Sequence, residues 1–308
     1  MRVSQAEWFR CLETEIENST GEDAKIVSTQ SVGGGCINVA EIVELESGDK
    51  YFVKSNSDFD LFSEESVGLK TIQSTNTIKT PRVIAEGKTN SGNRFLILEA
   101  IESGNPKKSF MEDFGRSLAL MHHPESTCRV HEHFDFPKCG FGFWSDNHIG
   151  STNQCNDWSK NWTDFFGEQR IGFQVRLATE NGLATKQLSQ GCDKLIGRLG
   201  ELIGTVDESP ALIHGDLWSG NFMVSDAGEP VLVDPAVYFG SRESEFGMIK
   251  LFGGFNQRFY DAYNEACPLK SGWDERAEIY QLYHLLNHLN LFGVSYLPGC
   301  LEIIRKFT

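Results

Sequence analysis

The most informative chemistry in the sequence lies in one stretch, Leu212-Ile-His-Gly-Asp-Leu-Trp-Ser-Gly-Asn-Phe-Met-Val224, followed by Val231-Leu-Val-Asp-Pro235. Apolar runs flank a polar loop that delivers an Asp and then an Asn, and a second Asp stands at the end of the next apolar run. Singly, each of these residues suits an ordinary turn or cap, since Asp and Asn favour both. The ordered set is more specific. Phosphoryl transfer needs one carboxylate to orient and deprotonate an acceptor hydroxyl, and hard oxygen ligands to hold Mg²⁺ on nucleotide phosphates. Asp216 fits the first role, as catalytic base. Asn221 and Asp234 fit the second, as metal ligands.

A second constellation lies toward the N-terminus. Short β-like runs over 25–30 and 37–45 flank Val32-Gly-Gly-Gly35, which reads as a hairpin with a glycine tip. There Gly33, Gly34 and Gly35 let backbone amides approach phosphate oxygens with no Cβ in the way, and Lys54, on a third strand over 51–54, reaches the same phosphates. Glu65, on a helix expected over 60–73, pairs with Lys54 and fixes it. A glycine hairpin alone is an ordinary turn, and a Lys with a helical Glu is an ordinary solvated pair. Their order ahead of His214-Gly-Asp216 is that of a kinase. Glu99, Ala100 and Ile101 fall where strands give way to helices, the place for an adenine-binding hinge. The cofactors implied are ATP and Mg²⁺.

These residues need a scaffold, and the hydrophobic periodicity supplies one of α+β class. A helix is expected over 3–19, from the spacing of Trp8, Phe9, Leu12 and Ile16, and two further strands over 82–85 and 94–98 complete a small, mostly antiparallel sheet. Beyond Gly104 the pattern turns helical, over 110–122, 165–181 and 188–203. Between these, 134–162 mixes Phe and Trp with Gly, Asn and Asp, a composition suited to an ordered loop packed over something. Leu212-Ile213 and Val231-Leu-Val233 read as a short strand pair. His122-His123 reads as a helix end favouring the C-terminal dipole, and His284 and His288, one turn apart, as packing residues. The division that follows is a nucleotide-binding lobe over 1–101 and a larger, mainly helical lobe over 102–308 that holds the catalytic loop.

Composition excludes other classes. The 308 residues hold 43 acidic against 28 basic side chains, a net charge of −15, which argues against a nucleic-acid footprint. No run approaches a membrane helix and the N-terminus has no apolar leader-like segment, so no membrane association and a cytoplasmic location are expected. The eight cysteines form no CxxC pair and fit reduced thiols rather than a disulfide framework or a zinc site. Cys36 is set apart by the glycine tip, where amide dipoles favour a thiolate. It is a candidate for redox control of the nucleotide loop, against the alternative of a small loop residue.

The chain resembles the fructosamine (ketosamine) kinases, within the aminoglycoside phosphotransferase and choline kinase group of protein-kinase-like folds. The resemblance rests on Gly34-Gly-Cys-Ile-Asn-Val-Ala40, Phe52-Val-Lys54, Glu65 with Gly68-Leu69, and His214-Gly-Asp-Leu-Trp-Ser-Gly-Asn221. Further matches are Val233-Asp-Pro-Ala236, Arg242-Glu243, Leu251-Phe-Gly-Gly-Phe255, Asn147-His-Ile-Gly-Ser-Thr-Asn-Gln154, Trp162 and Phe165-Phe166. It implies a two-lobed fold and ATP-dependent phosphorylation of the sugar 3-hydroxyl of ketosamines, the glycation adducts of amines and proteins. The 3-phosphates are unstable and leave the amine, so the activity is deglycating. It implies Asp216 as base, Asn221 and Asp234 on magnesium, Lys54 with Glu65 on the phosphates, Trp218 against the sugar, and His214, Asn147 and Gln154 about the acceptor. A monomer or weak homodimer is expected. Where relatives commonly follow Arg-Glu with an acidic residue and Leu-Ala-Met, this chain has Glu245-Phe-Gly-Met248, and Gly247 is expected to loosen that helix start. The alternatives are an aminoglycoside- or choline-type kinase and an inactive nucleotide-binding module; the complete set of five functional residues speaks against the last.

Overall fold

The computed structural model describes residues 4–33, 39–56, 61–136, 140–204 and 209–308. Gly34, Gly35 and Cys36 lie outside them. Helix α1 (Gln5–Thr20) starts on Ser4, whose hydroxyl accepts from the Glu7 amide at 3.2 Å, and ends at Gly21 in the left-handed conformation. Strands β1 (Ile26–Val32), β2 (Val39–Leu45) and β3 (Lys50–Asn56) follow, then α2 (Phe62–Ser74), β4 (Val83–Lys88) and β5 (Arg94–Glu99). They form one antiparallel sheet of order β1-β2-β3-β5-β4. The unbroken apolar run of β5 has a simple cause: the strand is covered on both faces. Phe95 and Ile97 pack with Leu12 and Ile16 beneath α1, whereas Leu96 and Leu98 pack with Phe62 and Leu69 beneath α2.

The remainder is mainly helical: α3 (Phe110–Met121), α4 (Pro124–His133), β6 (Asn147–Ile149), β7 (Thr152–Gln154), α5 (Trp162–Phe165), a π-helical stretch Phe166–Gly172, α6 (Phe173–Glu180), α7 (Lys186–Leu202), β8 (Ala211–Ile213), β9 (Phe222–Val224), β10 (Pro230–Leu232), β11 (Tyr238–Gly240), α8 (Arg242–Phe252), α9 (Gln257–Ala266), α10 (Trp273–Phe292) and α11 (Leu297–Phe307). The described residues of 134–162 pack as their composition suggests, with Phe136 stacked on Phe239 of β11 at 4.9 Å between ring centroids and Trp158 on the same ring at 6.1 Å. No helix among the described residues is long and apolar enough to cross a membrane.

Several local expectations change. The two apolar runs at 212–213 and 231–233 are not partners: β8 pairs with β11 and β10 with β9. Apolarity marks a strand but not its neighbour, and the short connection over 225–229 makes β9 and β10 a hairpin. The consequence is functional, because the β8–β9 and β10–β11 loops now lie side by side. The Ala236 amide donates to the His214 carbonyl at 2.9 Å and the Val233 amide to that of Asn221 at 3.0 Å.

His122 closes α3 as its C-terminal cap and is also buried, with Nδ1 2.8 Å from the Tyr263 hydroxyl, while His123 caps the start of α4 by accepting from the Glu125 amide. His284 and His288 do serve packing: His284 is buried, and half-buried His288 lies against Phe252 at 4.7 Å between ring centroids; burial first, then the charges of His288 and Arg170, lowers His284 to about 3.

Gly247 sits in the middle of an unbroken α8 and does not loosen its start. A Cβ there would lie 2.8 Å from that of Tyr280 and 3.0 Å from its carbonyl carbon, so the missing side chain is what lets α8 approach α10. Gly247→Val gains only a few tenths of a kcal/mol of helix propensity but overpacks this crossing. A net loss of about 2 kcal/mol is expected, read as a fall in the urea midpoint.

Candidate active site

A cavity of about 650 Å³ opens between the sheet and the helical part, and its wall includes Gly33, Lys54, Glu65, Asp216, Asn221 and Asp234. Residues more than 180 positions apart are brought together by three local devices. The first is a close helix approach. Gly68 on α2 allows Pro235 to come in, with a Cβ there only 3.1 Å from the proline ring, so Glu65 and Asp234 both reach Lys54. Lys54 Nζ donates to Glu65 Oε1 at 2.7 Å and also to Asp234 Oδ1. Burial alone would pull the Lys54 ammonium down, but Glu65 and Asp234 outweigh it and hold the pKa above its ordinary value. Burial raises Glu65, with Lys54 opposing. Asp234 itself takes the left-handed backbone conformation, φ 54°, which Asp tolerates better than most residues.

The second device is the turn that presents Asp216. Gly215 has φ 83°, and any Cβ there would run into the Ala236 carbonyl. Nε2 of buried His214 donates to the Val233 carbonyl at 2.9 Å, while its Nδ1 accepts from the Asp216 amide at 3.3 Å. Burial lowers the His214 pKa, matching this neutral tautomer. The Asn221 amide nitrogen donates to the Asp216 carbonyl at 2.8 Å and to its Oδ2 at 3.0 Å, fixing the carboxylate's rotamer. Burial drives Asp216 well above the usual carboxylate range; the Asn221 bond opposes this, and Asp234 and Glu245 add to it. Gly254, φ 101°, lets the 251–255 segment press against Ser219 at the back of the same loop.

The third device was not legible as such in the sequence. Glu245 on α8 is buried, and its two carboxylate oxygens accept from the backbone amides of His214 at 2.5 Å and Gly215 at 3.1 Å. An acid in the apolar company of Phe246, Met248 and Ile249 was the available signal. It clamps the turn from below.

The acceptor-side expectations divide. Trp218 lines the cavity, its ring 6.0 Å from that of Phe252. Asn147 lines it too, but its polar atoms are engaged: Nδ2 donates to the Val237 carbonyl at 2.8 Å, and Oδ1 accepts from Gln154 at 2.7 Å and Asn156 at 3.0 Å. Gln154 and His214 do not line the cavity. Gln154 is buried behind Asn147, donating to the Ala236 carbonyl at 3.1 Å and accepting from the Tyr283 hydroxyl at 2.6 Å. Both are braces, since polar residues beside a catalytic loop serve the backbone as readily as a ligand. Buried Arg170, in the π-helical stretch, extends the brace through Asn156 Oδ1 at 2.7 Å. Glu99 ends β5 and Ala100 and Ile101 follow it, all three outside the cavity's lining, with Glu99 accepting from the Arg82 amide at 3.1 Å.

This architecture, a five-stranded sheet facing a helical body across a cavity with Lys54 on one side and Asp216 on the other, is that of the protein-kinase-like phosphotransferases. An aminoglycoside phosphotransferase, APH(4)-Ia, shares the fold over 99% of this chain and 100% of its own, with a TM-score of 0.60 at 15% identity. A candidate fructosamine-3-kinase from Haemophilus somnus 129PT superposes with a TM-score of 0.82 at 28% identity over 96% of each chain. In sequence, the chloroplastic protein-ribulosamine 3-kinase of Arabidopsis thaliana is 39% identical over 93% of this chain and 84% of its own. The fructosamine kinase model matches residues 9–308, and the chain belongs to that family.

Proposed function

We propose that the protein is an ATP-dependent kinase that phosphorylates the sugar 3-hydroxyl of ketosamines on amines or proteins, a deglycation repair activity. The observation that carries this is Asp216, a carboxylate with a raised pKa held by Asn221, facing the Lys54–Glu65–Asp234 cluster in one cavity. In this reading Asp216 orients the attacking hydroxyl and accepts its proton as the oxygen bonds to phosphorus. A base with a raised pKa takes that proton more readily than an ordinary carboxylate. Lys54 draws the nucleotide phosphates toward it, with Gly33 of the glycine run over them and adenine beside Glu99 to Ile101. The lobes divide between Ile101 and Glu102.

The donor set suits Mg²⁺. Asn221 commits its amide nitrogen to Asp216, which leaves the amide oxygen, and the Asp234 carboxylate is half exposed. Among the described residues no three His, Cys, Asp or Glu groups form a cage. Two hard oxygen ligands without a cage are what a cation shared with nucleotide phosphates and water requires. When bound, Mg²⁺ supplies charge neutralisation on the transferring phosphate. The cytoplasm is the compartment, and a monomer or weak homodimer the assembly, that this reading favours. The test is ADP release from ATP with a panel of ketosamines, aminoglycosides and choline. Acceleration by ketosamines alone is expected; acceleration by an aminoglycoside or choline in their place overturns the reading.

A further inference from the structure

One part of the cavity wall has no role in holding phosphate or base. Glu64, next to Glu65 on α2, accepts from or pairs with His148 Nδ1 on β6 at 2.6 Å, bridging the sheet and the helical body, and both side chains line the cavity while about a quarter exposed. Of the wall's carboxylates among the described residues, Glu65 and Asp234 are taken by Lys54 and Asp216 by Asn221, so Glu64 is the one without a partner in that machinery. The wall continues from His148 to Gly150, where a Cβ would lie 3.0 Å from Leu291, and on to Phe292 at the end of α10, 59% exposed at the cavity's edge. A carboxylate backed by a histidine and an exposed aromatic ring therefore line the same cavity.

We infer that this stretch is the subsite for the amine half of the acceptor: Glu64 accepts a hydrogen bond from the substrate's secondary ammonium, and Phe292 packs against the carrier attached to it. The inference rests on the ketosamine reading, in which the acceptor carries a cationic secondary nitrogen beside the sugar. His148 occupies one oxygen of Glu64 and holds its rotamer; a carboxylate has lone pairs for a second donor. A charge-assisted hydrogen bond of this kind carries about a tenfold or larger preference.

The test compares the full-length enzyme with Glu64→Gln on two acceptors, fructosyl-lysine and its isostere with an ether oxygen in place of the amine. Glutamine keeps an acceptor for His148, so the fold is preserved while the charge is removed. Wild type should favour the amine in kcat/KM, and Glu64→Gln should cut that preference about tenfold or more, mainly through acceptor KM. Turnover of both acceptors with the preference unchanged in Glu64→Gln overturns the subsite alone. Turnover of neither by wild type overturns the ketosamine reading, and the subsite with it. In the second arm Phe292→Ser should reduce the preference for N-benzyl- over N-methyl-fructosamine; an unaltered ratio overturns the carrier contact.

Discussion

Asp216→Asn should slow phosphoryl transfer by orders of magnitude while making the protein more stable. The side chain keeps its shape, and its amide oxygen still accepts from Asn221 Nδ2, so nucleotide binding at Lys54 is expected to stay near normal. The lost proton acceptor lowers kcat by about 10²- to 10⁴-fold, the range for a positioned general base. The stability gain follows from linkage. Burial raises the folded-state pKa of Asp216 well above the ordinary value, so the folded chain binds this proton more tightly than the unfolded one. The contribution is fully present below the unfolded pKa and is lost as pH rises through the folded one. At neutral pH wild type thus carries a cost that the asparagine lacks. The mutant's melting temperature should exceed that of wild type, by more at pH 8 than at pH 5. Unchanged turnover would contradict the base role, and a gap that shrinks with rising pH would contradict the burial argument.

Glu245→Ala has the opposite signature, losing both stability and activity. Its carboxylate accepts from the buried amides of His214 and Gly215, and its removal strands two donors at about 1–3 kcal/mol each. A loss of about 2–6 kcal/mol is large beside a typical stability of about 5–15 kcal/mol. The turn that aims Asp216 loosens with it, so kcat should fall further than the fraction unfolded explains. Glu245→Gln, which retains one acceptor, should recover part of both losses. A denaturation midpoint for Glu245→Ala equal to that of wild type would remove Glu245 from this role.

These two residues also mark what a single sequence conveys. The grouping of Asp216, Asn221, Asp234, Lys54 and Glu65 in one cavity was legible because their types are chemically demanding and each lies in a short motif beside a strand or helix, in a recognisable order along the chain. The fold was legible for a similar reason: the 3.6 periodicity survives in α1, α3 and α7, and β5 shows as a short unbroken apolar run. What stayed hidden depends on contacts between distant segments. The partnering of β8 with β11 rather than with β10, the crossing of α8 and α10 at Gly247, and the clamp from Glu245 to the His214-Gly215 amides are all decided by packing. His214 and Gln154 illustrate the converse: both were read toward the substrate, and both are bonded within the protein, His214 to the Val233 carbonyl and the Asp216 amide, Gln154 to Asn147, Tyr283 and the Ala236 carbonyl. The π-helical stretch had no local signal either; Phe166–Gly172 has the composition of an ordinary amphipathic helix, and its widened turn coincides with buried Arg170 reaching the Cys155 carbonyl at 2.6 Å and Asn156.

The most direct measurement of the central claim is the position of the transferred phosphate on fructosyl-lysine after incubation with ATP and Mg²⁺, assigned by phosphorus–carbon coupling in NMR spectra. The account predicts phosphate on the sugar O3, followed by release of free lysine, both slowed by orders of magnitude with Asp216→Asn. Phosphate on another hydroxyl, or ADP formed with no phosphorylated sugar, would contradict it.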